Sequence, residues 1–215
     1  MRSSCRLLLA TALLLLFSVA AAEGEPAFFL VASPRIVDPN FRETVVLIIQ
    51  HTPMVSRGVI INRPLETPLS RLAPGDEAFE HATEHVYFGG PVALPSLSFV
   101  FRAKERAKGS VHVMDDLYIG DDPSLLKDVM NREGAAGRVR VYAGHAGWGP
   151  GQLQSEIEEG GWFATRATPE FVFHDNPANV WSELVKKASQ RSVNASSRRG
   201  ALAAHSSTRQ CFSEE

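Results

Sequence analysis

The sequence predicts an α+β fold: a single domain whose bent, mixed β-sheet carries about three to four packed helices. Three observations point there. Short apolar runs rich in β-branched residues follow one another through the first half of the chain, and helical periodicity is concentrated in the second half. No internal repeat and no second domain boundary interrupt the sequence, so strict βαβ alternation is not indicated.

In chain order, Phe28 to Ala32, Thr44 to Gln50 and Gly58 to Asn62 are apolar without polar alternation, which is the pattern of strands buried on both faces. Val86 to Phe88, Leu97 to Phe101, Val111 to Val113 and Val139 to Ala143 continue the series. Turn signals separate them at Thr52-Pro53, Gly89-Gly90-Pro91 and Lys108-Gly109. The first clear helix has Asp122 as its cap and Pro123 at its first position, with Leu125, Leu126, Val129 and Met130 on one face. A second follows Gly149-Pro150, with Leu153 and Ile157 one turn apart, and stops at Gly160. The third begins near Asn179 and presents Val180, Trp181, Leu184, Val185 and Ala188 as an apolar stripe.

The chain ends differ in character from this middle. Arg2 and Arg6 precede an apolar run from Leu7 to Val19, followed by Ala20-Ala21-Ala22 and then polar residues. This order of basic, apolar and small residues is a secretory signal, and cleavage is expected after Ala22. The run is 13 residues long, short of the roughly 20 that a membrane-spanning helix requires. A periplasmic or secreted protein is therefore expected, the alternative being a membrane anchor made by an uncleaved signal. From Arg191 to Glu215 a Ser/Arg/Ala-rich tail without periodicity buries too little apolar surface to offset its ordering entropy. The expected organisation is a signal over 1–22, a folded domain over 23–190 and a disordered tail over 191–215.

Residues 23–190 hold 16 basic and 22 acidic side chains, a formal charge of −6. Such a domain is a poor electrostatic partner for nucleic acid. The chain's two cysteines, Cys5 and Cys211, fall in the expected signal and tail, so the domain has no internal disulfide, thiol nucleophile or thiolate metal site.

Three stretches carry candidate chemistry. His81-Ala82-Thr83-Glu84-His85 has the H-x-x-E-H spacing of inverted zincins. On a helix, His81 and His85 would share a zinc whose water Glu84 polarises, although flanking acids equally make it a solvated loop. His112, Asp115, Asp116, Asp121 and Asp122 form an oxygen-rich cluster without EF-hand spacing, better explained by turns and capping. The densest stretch runs from Tyr142 to Leu153 and reads as a strand ending in a small-residue turn that opens a helix. Its glycines either dock Trp148 onto the sheet or leave amide groups free for a ligand. It lacks the spacings of dinucleotide and Walker loops, and no Ser lies in a G-x-S-x-G elbow.

Four blocks together resemble the YqgE/AlgH family (UPF0301-type bacterial proteins). They are Phe29 to Pro34 with Asp38 to Phe41, Gly58 to Leu65, Phe88 to Val92, and Gly144 to Leu153 with Glu156-Ile157 beyond. The resemblance spans residues 27 to 190 in order and implies a single α+β domain with a bent mixed sheet. It brings no established catalytic residues. Some members are labelled transcriptional regulators, but the resemblance places no DNA-reading helix here, and typical members look cytosolic, without an export signal or Ser/Arg tail.

The function expected is therefore a non-enzymatic binding or accessory domain with no cofactor, whose partner is a protein or a small molecule. Its expected site is a groove formed by Asn62 and Arg63, Gly89 and Gly90, and Trp148 and Gln152, since fixed loops at strand ends commonly carry function. The rival readings are a metal-dependent hydrolase using His81, Glu84 and His85, and the regulator role attached to some relatives.

Overall fold

The computed structural model describes residues 27–190, apart from Ala73, His81, Thr83 and Ala136. The expected signal and tail lie outside the described residues. No described helix is long and apolar enough to cross a membrane.

The described strands are β1 (Phe28–Ala32), β2 (Val45–His51), β3 (Ser56–Ile60), β4 (Pro64–Pro68), β5 (His85–Phe88), β6 (Val92–Arg102), β7 (Val111–Met114), β8 (Leu117–Gly120), β9 (Val139–Trp148) and β10 (Trp162–Arg166). The helices are α1 (Glu77–Glu80), α2 (Pro123–Met130), α3 (Gln152–Glu158), α4 (Pro169–Val172) and α5 over residues 177–190. The strands form one sheet in the order β10-β1-β2-β3-β9-β6-β8-β7, with β5 also on β9 and β4 on β5. All pairings are antiparallel except β5 with β9, so the sheet is mixed and the fold is the α+β domain that the sequence predicts.

Strand alternation explains both the apolar runs and the curl. Phe29 and Val31 of β1, Val45 and Leu47 of β2, and Val59 of β3 face one core. The residues between them, Leu30, Ala32, Val46, Ile48 and Ile60, face a second core. The first core also takes Val100 of β6, Leu117 and Ile119 of β8 and Tyr142 of β9, with Val172 of α4 and Val180 and Leu184 of α5. The sheet therefore curls around it, and α5 packs against its concave face. A third core lies on the other face of β6, β8 and β9, where α2 contributes Leu125, Leu126 and Val129 and α1 contributes Phe79. The α2 cap is as the sequence predicts: the Asp122 side chain accepts from the Ser124 amide and Pro123 opens the helix.

Two local differences matter for function. β9 does not end before the small-residue stretch but continues through it to Trp148. Its first half pairs with β6 on one edge and β5 on the other, and its last residues, Ala146 to Trp148, pair with β3. The connector Gly89-Gly90-Pro91 passes from the β5 edge to the β6 edge, so it must cross β9. It does so between the pairs Phe88–Ala143 and Val92–His145, directly at Gly144. At this fork the Gly89 amide donates to the Ala143 carbonyl and its own carbonyl accepts from the Ile60 amide. Small residues let the strand run on beneath another chain segment, which is why a turn reading failed there. The second difference concerns α1, which ends at Glu80, so Glu84 and His85 lie in extended chain at the start of β5 rather than on a helix.

Candidate functional site

The six residues of the expected groove divide into three environments. Asn62 is buried; its Oδ1 accepts from the Val45 amide at 2.9 Å and its Nδ2 donates to the Glu43 carbonyl at 2.9 Å. The Arg63 guanidinium donates to the carbonyls of Pro39, Asn40 and Arg42 at 2.7–2.9 Å, pinning the loop between β1 and β2. Partial burial, with Arg42 nearby, holds the Arg63 pKa below its ordinary value. Gly89 and Gly90 form the crossing over β9, where added Cβ atoms would lie 2.3 Å from backbone atoms of Gly144 and His145 respectively. Trp148 and Gln152 alone of the six line an open cleft.

That cleft has a volume of about 650 Å³ and lies between the loop after β1, the end of β9, α3 and the start of β10. At its centre is Glu156, one turn along α3 from Gln152. Its Oε2 accepts from the indole N–H of Trp148 at 3.0 Å and from that of Trp162 at 2.8 Å. Its Oε1 accepts from the Gln152 side-chain amide at 2.9 Å, and Gln152 in turn accepts from the Gly149 amide. The two indoles are almost wholly buried, at 4 and 3 % exposure, and meet edge to face with centroids 5.9 Å apart. Phe41 closes the cluster against both rings. Buried indole N–H groups need acceptors, and a single carboxylate on the first turns of α3 serves two of them. Asp38, Glu159 and Arg35 complete the polar lining, with Arg35 donating to the Glu159 carbonyl at 3.1 Å. The cleft thus presents three carboxylates and one guanidinium on an aromatic floor. Glu156 and Trp162 were not singled out as site residues from the sequence; the spacing of four between Gln152 and Glu156 was the available signal.

The other candidate stretches are placed as follows. His81 lies outside the described residues, Glu84 accepts from the Gly137 amide, and His85 is exposed. Among the described residues no group of three or more His, Cys, Asp or Glu side chains is placed to hold a metal ion. In the acidic cluster, Asp116 pairs with Arg102, Asp122 caps α2, and His112 donates to the Asp115 carbonyl. His145, in the Gly144 to Leu153 block, lines a different cleft from Trp148, together with Arg57 and Asp121.

The fold and the converging blocks have counterparts among known proteins. A family model described as AlgH-like (DUF179) matches residues 29–192. The chain belongs to the AlgH-like family. A UPF0301 protein of Chlorobium limicola is 33% identical over 162 residues, covering 75% of this chain and 85% of the relative. A UPF0301 protein of Streptomyces avermitilis is 33% identical over 170 residues, covering 74 and 83%. Among solved structures, the chain is similar to a protein of Corynebacterium diphtheriae at a TM-score of 0.63 and 28% identity, over 76% of this chain and 87% of that one. It is also similar to the AlgH protein of Pseudomonas aeruginosa in solution, at 0.61 and 25%, over 75 and 87%. In this AlgH-like chain the four blocks come together at the β9 fork and the cleft beside it.

Proposed function

We propose that this AlgH-like chain is an exported, non-enzymatic binding domain whose ligand occupies the cleft beside Trp148 and presents a cationic group. The observation that carries the reading is the Glu156 carboxylate, held by two indoles and Gln152 in the wall of that cleft. With Asp38 and Glu159 it sets a negative field over aromatic rings, opposed only by Arg35 among the lining residues. Carboxylates beside ring faces favour ammonium and guanidinium groups. The basic, apolar and small-residue order of the first 22 residues supports export.

The test of binding is a titration of indole fluorescence with the methylamide of N-acetyl-lysine and, as a control, with acetate. The lysine derivative should quench or shift emission saturably, and Asp38→Asn with Glu159→Gln should weaken it about tenfold. Equal responses to both probes, or none, overturn the reading. For export, the test is the N-terminal residue of the protein recovered from fractionated cells. Glu23 in a periplasmic or secreted fraction supports it, and Met1 in the cytosol overturns it.

A further inference from the structure

A second cleft lies at the other end of β1 and β10 and has the opposite electrostatic character. The register sets this: Ala32 pairs with Trp162, beside the Trp148 cleft, and Phe28 pairs with Arg166 four residues away. The second cleft, of about 750 Å³, opens around Phe28 and Arg166, between the last residues of β2 and the strand β7. β2 runs on beyond Phe29–Leu47, its last pair with β1, so Ile48 to His51 border open space there. β7 pairs only with β8, and the sheet does not close across the gap.

Two arginines and two histidines from separate elements line this opening: Arg166 from β10, Arg106 from the β6–β7 connector, His51 from β2 and His112 from β7. The Arg166 guanidinium makes no hydrogen bond or ion pair among the described residues. Arg106 commits only Nε, to the Ser110 carbonyl at 2.9 Å. His51 uses Nδ1 on the Ser56 hydroxyl, which leaves Nε2 uncommitted. His112 must donate from Nε2, because its partner is the Asp115 carbonyl, which leaves Nδ1 uncommitted. Asp115 is the one acid in the lining. The free guanidinium N–H groups of Arg166 and Arg106 are thus brought to one opening on a folded segment whose formal charge is −6. The walls are apolar: Phe28 lies edge-on to the His51 ring, and Val111 is 58% exposed.

We propose that this cleft binds an organic anion, a carboxylate or phosphate ester carried on an apolar body. The cationic rim takes the anion through charge-assisted hydrogen bonds, and the walls of β2 and β7 take the apolar part. The volume falls in the usual range for small-molecule sites. The inference stands on different residues from the Trp148 cleft and does not depend on its ligand.

The test titrates protein from the full-length chain with octanoate, octyl phosphate and octanol, followed by amide NMR shifts. The proposal expects saturable shifts at Gln50, His51 and Val111 to Asp115 with one or both anions, and at least tenfold weaker binding of octanol. A response to octyl phosphate alone identifies a phosphate-ester site, and to octanoate alone a carboxylate site. Arg166→Gln should weaken the anion about tenfold without lowering the melting temperature, because no hydrogen bond or ion pair ties that guanidinium to the described residues. Equal binding of octanol, shifts confined to other residues, or affinity unchanged in both Arg166→Gln and Arg106→Gln overturns it.

Discussion

A Cβ placed on Gly144 would lie 2.4 Å from the carbonyl oxygen of Gly90. The carbonyl is backbone and a Cβ is fixed in place by its own backbone, at the point where the β5–β6 connector crosses β9, so neither can rotate away. Gly144 also has φ +69, a conformation that other residues adopt only with strain. Gly144→Ala should therefore destabilise the fold by about 3 kcal/mol or more, combining overpacking with backbone strain. Urea denaturation followed by circular dichroism measures it; a loss below about 1 kcal/mol would show that the connector has room to lift.

Tyr142 offers the opposite outcome. It is fully buried in the first core, its hydroxyl has no hydrogen-bond partner among the described residues, and burial pushes its pKa well above the ordinary phenol value. A buried hydroxyl without a partner costs about 1–3 kcal/mol. Tyr142→Phe removes that cost with little change of shape and should raise the urea midpoint, by about 1 kcal/mol of stability. A decrease would mean that the hydroxyl has a bridging water.

The sequence shows the central strands and the long helices because burial there writes a readable pattern. β1, Val45 to Ile49 of β2 and Gly58 to Ile60 of β3 are free of polar side chains since both faces are covered there, and α2 carries a capping aspartate, a first-turn proline and a one-sided apolar stripe. β4 was missed because it is bounded by Pro64 and Pro68 and mostly exposed, so no apolar period marks it. β10 escaped for a related reason, since its alternation spans only five residues. The continuation of β9 to Trp148 was hidden by its glycines, whose local preference is for turns. Only a crossing segment distant in sequence makes Gly144 necessary. The site was legible in part: Trp148 and Gln152 reach the cleft, while Asn62 and Arg63 spend their polar atoms on the backbone between β1 and β2.

Arg63 therefore shapes the cleft from a distance. Its guanidinium spans three carbonyls of the loop that carries Asp38 and Phe41 into the lining. A lysine ammonium is a point donor and cannot reproduce that fork. Arg63→Lys should cost about 1–2 kcal/mol of stability and free the 38–43 loop, read as raised amide exchange at residues 40–42. If the variant keeps wild-type exchange, the loop is held by its other bonds, such as that from the Asn40 amide to Asp38.

Glu156 tests whether charge or shape matters at the cleft wall. Oε2 receives two indole protons and Oε1 one amide proton, so all three contacts require an acceptor. Glu156→Gln keeps the shape but turns one oxygen into a donor facing a donor. The expected loss is about 1–3 kcal/mol, together with altered emission from Trp148 or Trp162. Gln152→Ala removes two exposed bonds, one to Glu156 and one from the Gly149 amide, and should cost less, about 0.5 kcal/mol; equal losses would show that the indoles do not rely on the carboxylate.

His145 predicts how stability depends on pH. Burial, and next the Arg57 charge, hold its pKa below the ordinary imidazole value of about 6.5; Asp121 lines the same cleft. The unfolded chain therefore binds a proton at a pH where the folded chain does not. Stability from neutral His145 is present above pH ~6.5 and is lost as pH falls through the depressed folded value. His145→Gln cannot titrate, so the difference in melting temperature between wild type and variant should narrow in favour of the variant as pH falls from about 7.5 to 5. A difference that stays constant over that interval would show that His145 has the same proton affinity in both states.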